Sequence, residues 1–483
     1  MSLQTDIASL RFRINQLEGG TTTGGGGGAE TYFYVSGSET ITSSNGVYIS
    51  GNTGIVLTSS TTNNLLIISS SLAEVISGTI NNQTPNSITP INAILATGSA
   101  ETISIAILPK SSGSFLLSIP DNTAVGGNIR GSGSIDLQRV RDQAFQVAAA
   151  NSSSILGGIK NEITSGAHFS VLGGGEENII KNSYYGFLGG GLKNAITSAA
   201  TGYPSSYSVL VGGSENSSSG MFSFLGGGQN NKMGVNSWQV IAGGRSNNCA
   251  GQASFIGSGE FNTIVGTIGT AAVGNFIGAG RDNTINSTTN SPAQYSSILG
   301  GTRNVIEASN CVIPGGTQAN SLKTEGRFAF ASGHFGNNTF NTPASGLGNA
   351  QMSILVTRAE TTGTTPNYLT TDGSTLRQGT FLSPIYYWNS NYVPGFQAVK
   401  AHLIAASSDG EYAYYEISYA AKSTGVLGTP TVTTLFSSAG ASTWSIGVFH
   451  PGVYSPATAF SVTGSSGKNI RWVATSYTTH LSF

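Results

Sequence analysis

A short unit recurs nine times between residues 153 and about 320, and it constrains everything else in the chain. With the asparagine of each unit as zero, the register is Asn161, Asn178, Asn194, Asn216, Asn231, Asn247, Asn262, Asn283 and Asn304. A glycine stands three residues before each one, from Gly158 to Gly301, and Leu or Ile stands six before, from Ile155 to Ile298. Two residues after, the position is apolar (Ile163, Ile180, Met233, Cys249 and so on), with Ser218 as the exception. A tenth, decayed unit follows at Ile313 and Gly316, with Ala319 where the asparagine should be. Four positions held through nine units define a repeat protein.

The spacings select the kind of repeat. Successive asparagines lie 17, 16, 22, 15, 16, 15, 21 and 21 residues apart, too short for paired helices. Gly-Gly steps and β-branched residues are also poor helix formers. One coil of a β-solenoid fits: two short strands and two turns, each coil pairing with the next. Glycine supplies left-handed or crowded turn positions, asparagine tolerates the left-handed region and bonds locally, and the apolar residues fill the interior. The long spacings predict loops near Ser198–Tyr207, Val265–Ala272 and Ser287–Gln294. At about 4.8 Å per coil, nine coils make a rod roughly 40 Å long.

Units such as Phe-Ser-Val-Leu-Gly-Gly-Gly-Glu-Glu-Asn-Ile-Ile (169–180) resemble the head repeats of trimeric autotransporter adhesins, and are still more similar to repeats of phage tail-fibre proteins. The resemblance implies three chains wound side by side as β-rolls. The units here are longer and less regular than the adhesin repeat.

Composition narrows the partners. Only 9% of the 483 residues are charged and 67 are glycine, with a net charge of −1. Disorder is set aside because apolar residues recur with a period. No basic stripe marks a nucleic-acid partner. Cys249 and Cys311 lie about four coils apart, too far for a disulfide within one chain, and read as small buried hydrophobes. The N-terminus has no apolar signal segment, and no apolar run is long enough to span a membrane, so neither a secreted adhesin nor membrane insertion is expected.

Leu3, Ile7, Leu10, Ile14 and Leu17 form a short heptad seam. Ile at a and Leu at d would favour two strands, but Arg13 through Glu18 resembles the motif of short trimeric coiled coils. The trimer is preferred, with Leu3, Ile7, Leu10, Arg13, Ile14, Leu17 and Glu18 as its contacts. Gly19-Gly20 and Gly24–Gly28 then form a linker. Residues 30–128 read as β modules, and 129–151, with dense charge around Ile135–Phe145, as a helical or extended neck resembling the segment that precedes such repeats in phage fibres. After the repeats (152–322) and a connector (323–351), long alternating runs over 352–483 predict a β-sandwich.

Tyr386-Tyr387-Trp388-Asn389-Ser390-Asn391-Tyr392 concentrates aromatic faces and amides that suit sugar rings, so Tyr386, Tyr387, Trp388, Asn389, Asn391 and Tyr392 are the receptor-contact candidates. Packing in the sandwich core competes with that reading. Glycoside hydrolysis needs two carboxylates about 5 to 9.5 Å apart, but the acidic residues of the repeats (Glu162, Glu176, Glu177, Glu215, Glu260, Asp282, Glu307) read as turn surface. The five histidines show no metal-ligating spacing. No catalytic residue, cofactor or metal is therefore expected.

The expectation is an all-β, elongated homotrimeric fibre of a tailed-phage virion, assembled in the host cytoplasm. Its N-terminus would join tail, baseplate or neck proteins, and its C-terminal tip would contact a host-surface glycan or protein. The alternatives are a capsid or neck decorating fibre, or a polysaccharide depolymerase tailspike.

Overall fold

The computed structural model describes residues 109, 111–197, 207–266, 272–288, 292–333, 350–371, 386–387, 395–422, 425–449 and 457–482. Among these the chain is all-β, with one 3-10 turn at Ala439–Ala441. The coiled-coil residues and the β modules before residue 109 lie outside them.

Each repeat unit is one coil of a parallel β-solenoid. Its first short strand carries the Leu or Ile six residues before the asparagine, as at Val171–Leu172, and its second carries the apolar residue two after, as at Ile179–Lys181. First strands pair in parallel with first strands of the next coil (Leu172 with Leu188, Leu188 with Leu210), and second strands with second strands (Ile180 with Ile196). Register holds across the long spacings. The interior is a continuous apolar column, from Ile155 to Ile313 on one side and Ile163 to Ile306 on the other, all excluded from solvent. Cys249 and Cys311 are free thiols within it, as expected.

The repeat glycine is required twice over. Gly175 has φ +83, and a Cβ there would stand 2.2 Å from the carbonyl oxygen of Gly191 in the next coil. Asparagine does something the spacing did not reveal. The left-handed residue is the one before it (Lys160 φ 58, Glu177 φ 55, Ser246 φ 55), not the asparagine itself.

The solenoid starts earlier than the repeat. Of the helical or extended neck expected there, the structure has the extended form, built into the solenoid: Phe115–Leu116 pairs in parallel with Ile135–Asp136, which pairs with Ser154–Ile155. Gln138 takes the asparagine's place there, its Oε1 accepting from the Asn161 N–H at 2.9 Å. Asp136 is wholly buried and sits between Arg130 Nε (2.8 Å) and Arg141 Nη2 (3.1 Å), which close this end of the interior with ions instead of methyl groups.

At the other end, strand β1 (Phe328–Ser332) pairs in parallel with the last coil at Val312 and antiparallel with β2 (Ala350–Thr361), carrying the solenoid into the C-terminal sheet. There, β10 (Ile470–Ser482) lies between β2 and β5 (Gly395–Ser407), followed by β6 (Tyr412–Lys422) and the edge strand β7 (Gly425–Ser437), all antiparallel. A smaller sheet forms from β3 (Asn367–Tyr368), β4 (Tyr386–Tyr387), β8 (Ser445–Phe449) and β9 (Ala457–Thr463). Phe460, Val462, Trp444 and Trp472 join Leu403, Ile417 and Tyr419 in one buried cluster. Alternation puts Trp472 and Ala474 inward and Arg471 and Val473 outward, as their period predicts. Pro430 and two register shifts against β6 break up the edge strand, a common protection of an open edge.

Candidate functional site

Three surfaces carry side chains that the fold leaves free to act. The first is a polar cleft of about 370 Å³ at the start of the solenoid, lined by Asp142, Gln143, Gln146, Lys160, Glu162, Glu177, Asn178 and Ile179. Lys160 stands at its centre, 2.9 Å from Asp142 and 3.8 Å from Glu177. The hydrogen bond that Lys160 donates to Asp142 is the main cause that raises the Lys160 pKa. Glu162, on the outward face of a second strand, has its pKa raised by burial, against the pull of Lys181. The cleft thus sets a carboxyl group of raised pKa beside ion-paired carboxylates. General acid catalysis uses such a combination.

The second surface is a ladder of aromatic rings on one turn of the solenoid. Phe169, Tyr185, Tyr207, Phe222 and Trp238 stack in sequence at 5.1, 4.9, 5.0 and 6.1 Å, all with interplanar angles of 12° or less. All five have positive φ, between 50 and 58, and about half of each side chain is exposed. Ser152, Ala253 and Asn310 adopt the same left-handed backbone, so the conformation belongs to the coil and the rings are added to it.

The third surface is the outer face of the C-terminal sheet. His402, Ile404, Tyr412, Tyr414, Val473 and Thr475 line a shallow depression there of about 280 Å³. Tyr414 Oη lies 2.8 Å from His402 Nδ1, and its ring stacks on Phe436 at 6.3 Å, while His402 meets the edge of Tyr477. Phe436 is the most exposed of these, at 66%. The run of strands was legible in the sequence; this gathering of aromatics was not, because they come from four strands.

Of the receptor-contact candidates, Tyr386 and Tyr387 form β4, whose backbone pairs with Thr458 and Ala457 of β9. Their side chains, and Trp388, Asn389, Asn391 and Tyr392, lie outside the described residues. So do Leu3, Ile7, Leu10, Arg13, Ile14, Leu17 and Glu18. Among the described residues no group of three or more His, Cys, Asp or Glu is placed to hold a metal, and no helix is long and apolar enough to cross a membrane.

No protein-family model matches the chain, and no curated protein matches it. Two solved structures are similar to it. One is a tailspike protein of Acinetobacter baumannii bacteriophage Fri1, named as a capsular polysaccharide depolymerase: 9% identity, TM-score 0.16, covering 75% of this chain and 70% of that one. The other is the tailspike protein of Acinetobacter phage vB_ApiP_P1: 11% identity, TM-score 0.15, covering 77% and 81%. The first finding contradicts the expectation of a chain without catalysis, which is corrected on that ground. The depolymerase activity is that of the phage protein named.

Proposed function

We propose that the chain is a homotrimeric fibre of a tailed-phage particle that attaches to the host surface through its C-terminal tip. The observation that carries this reading is the layout. A parallel solenoid runs without a break in hydrogen bonding through β1 into an antiparallel sheet whose outer face holds exposed Tyr412, Tyr477, Phe436 and Ile404. A shaft of stacked coils gives reach and stiffness, and an aromatic face at its end suits the apolar faces of sugars. In this reading residues 3–18 assemble the three N-termini and dock on tail, baseplate or neck proteins. The protein is then a virion component built in the host cytoplasm.

The test is binding of fluorescently labelled full-length protein to a panel of encapsulated bacteria and their purified surface polysaccharides. Saturable binding to some panel members is expected, reduced at least tenfold by Phe436→Ser combined with Tyr477→Ser. Binding untouched by that pair would move the contact off this face, and a correctly assembled protein that binds no member would sink the reading.

The polar cleft favours a second reading, a polysaccharide-cleaving tailspike in which Glu162 protonates the leaving oxygen and Asp142 or Glu177 acts as its partner carboxylate. Release of reducing ends from bound polysaccharide, abolished by Glu162→Gln with binding retained, is the expected result. Release unaffected by Glu162→Gln would exclude the cleft as its source.

A further inference from the structure

The first strand of each coil shows two residues to the outside, seven and five before the asparagine, and their sizes are coupled. Phe187, Phe224, Phe255 and Phe276 stand at the first position, and each is followed two residues later by glycine. The rings lie down over those glycines, with Cε1 3.6, 3.4, 3.3 and 3.3 Å from where the Cβ of Gly189, Gly226, Gly257 and Gly278 would be. Where the first residue is smaller, the second is mostly larger: Ser154 with Leu156, Val209 with Val211, Val240 with Ala242, Ser297 with Leu299. Val171 with Gly173 is the exception. The same glycines let the next coil's carbonyl approach to 2.2–2.5 Å of the absent Cβ, so the exchange is built into the backbone.

The result is an apolar strip along the repeat shaft in which one of the two positions is filled at most coils. It is half-exposed at Leu156, Phe187, Val211, Phe224 and Leu299. The outward face of the second strands is mixed, bearing Glu162, Lys232, Asn248, Thr263 and Thr284 but also Ile179, Ala195 and Val305.

We propose that this strip is the interchain face of the trimer, with three copies bringing their strips together, parallel and in register, around one axis. The inference rests on the trimeric reading above and adds which face closes it. The occupant is argued from the period. A partner that touches every coil must repeat at the coil spacing over ten coils, and another copy of this chain does so by construction. The phenylalanines lying flat over their glycines fit this, because a proud ring at one coil would hold the neighbours apart at the others.

The experiment uses full-length single-cysteine additions, the native Cys249 and Cys311 being buried with their thiols pushed up to about 12 and about 11, and so unreactive. Val240→Cys and Leu299→Cys sample the strip, and Thr263→Cys the outward face of the second strands. Each is treated with a short bismaleimide and run on a denaturing gel, after light scattering gives the mass in solution. Expected are three times 49.4 kDa and at least tenfold more cross-linked dimer and trimer from the strip positions than from Thr263→Cys. A trimeric mass with cross-links from Thr263→Cys, or from none of the three, overturns the face and leaves the trimer standing. A monomeric mass overturns both. Two strip variants are used so that one misfolded variant does not decide the result.

Discussion

Asn231 shows what the repeated asparagine does. Its backbone N–H donates to the Oδ1 of Asn216, and its Nδ2 donates to that oxygen, to Gly227 and to Gly244 of the next coil. Its own Oδ1 accepts from the N–H and Nδ2 of Asn247. An unbroken amide ladder therefore runs inside one corner of the shaft, and it ends where Ala319 has no amide to pass it on. Asn231→Ala leaves several buried groups unpaired and is expected to cost about 2–4 kcal/mol in denaturant unfolding. Gly244→Ala meets the Gly259 carbonyl oxygen at 2.2 Å with φ +93, so it is expected to abolish soluble expression. Ser218 is the reverse case. Its hydroxyl is buried without a partner in a column of Ile and Met, and Ser218→Val is expected to stabilise by about 1–2 kcal/mol in the same assay. The recurrence of asparagine was plain in the sequence. Its bonds were not, because most of its partners lie 12 to 22 residues away on other coils.

The aromatic ladder and the ion-closed first coil are properties of elements. A large ring in the left-handed region costs roughly 1–2 kcal/mol, and each stacked neighbour returns about 0.5–1.5 kcal/mol. With rings on both sides, Tyr207 is close to balanced, so Tyr207→Gly is expected to shift stability by less than about 1.5 kcal/mol in thermal or denaturant unfolding. A larger loss would mean that the ladder itself holds the coils together. Asp136 has no such compensation: Asp136→Asn leaves Arg130 and Arg141 buried and facing each other, at an expected cost of about 3–5 kcal/mol. Neither element was foreseen. The dense charge of 135–142 read as a helical or extended neck because sequence shows that charges are present, not that one carboxylate sits between two arginines inside a coil.

For the whole molecule, acid is expected to act on the tip. His480 is buried on the inward face of β10, and burial, aided by Arg327, holds its pKa down at about 4. A depressed histidine contributes stability that is complete above about 6.5 and is lost as pH falls towards 4, up to about 3 kcal/mol. Glu162 and Glu307 have raised pKa values, so their contribution is complete below about 4.5 and is lost as pH rises through the raised values. They oppose the histidine over part of the same window. Denaturant unfolding between pH 7 and pH 4 is expected to show a loss that His480→Gln removes. A loss unchanged in that variant would assign the acid sensitivity elsewhere.

The sequence by itself determined the solenoid, its register, the turn glycines and the antiparallel end, because each depends on period and on local backbone geometry that a residue's own chemistry dictates. Only the tertiary structure decided which residues meet. The amide ladder, the ring stack, the carboxylate cleft and the apolar strip all join positions on different coils, and the buried arginine pair meets across a turn. A linear reading sees such positions as separate turns, and stacking at one strand spacing makes them neighbours.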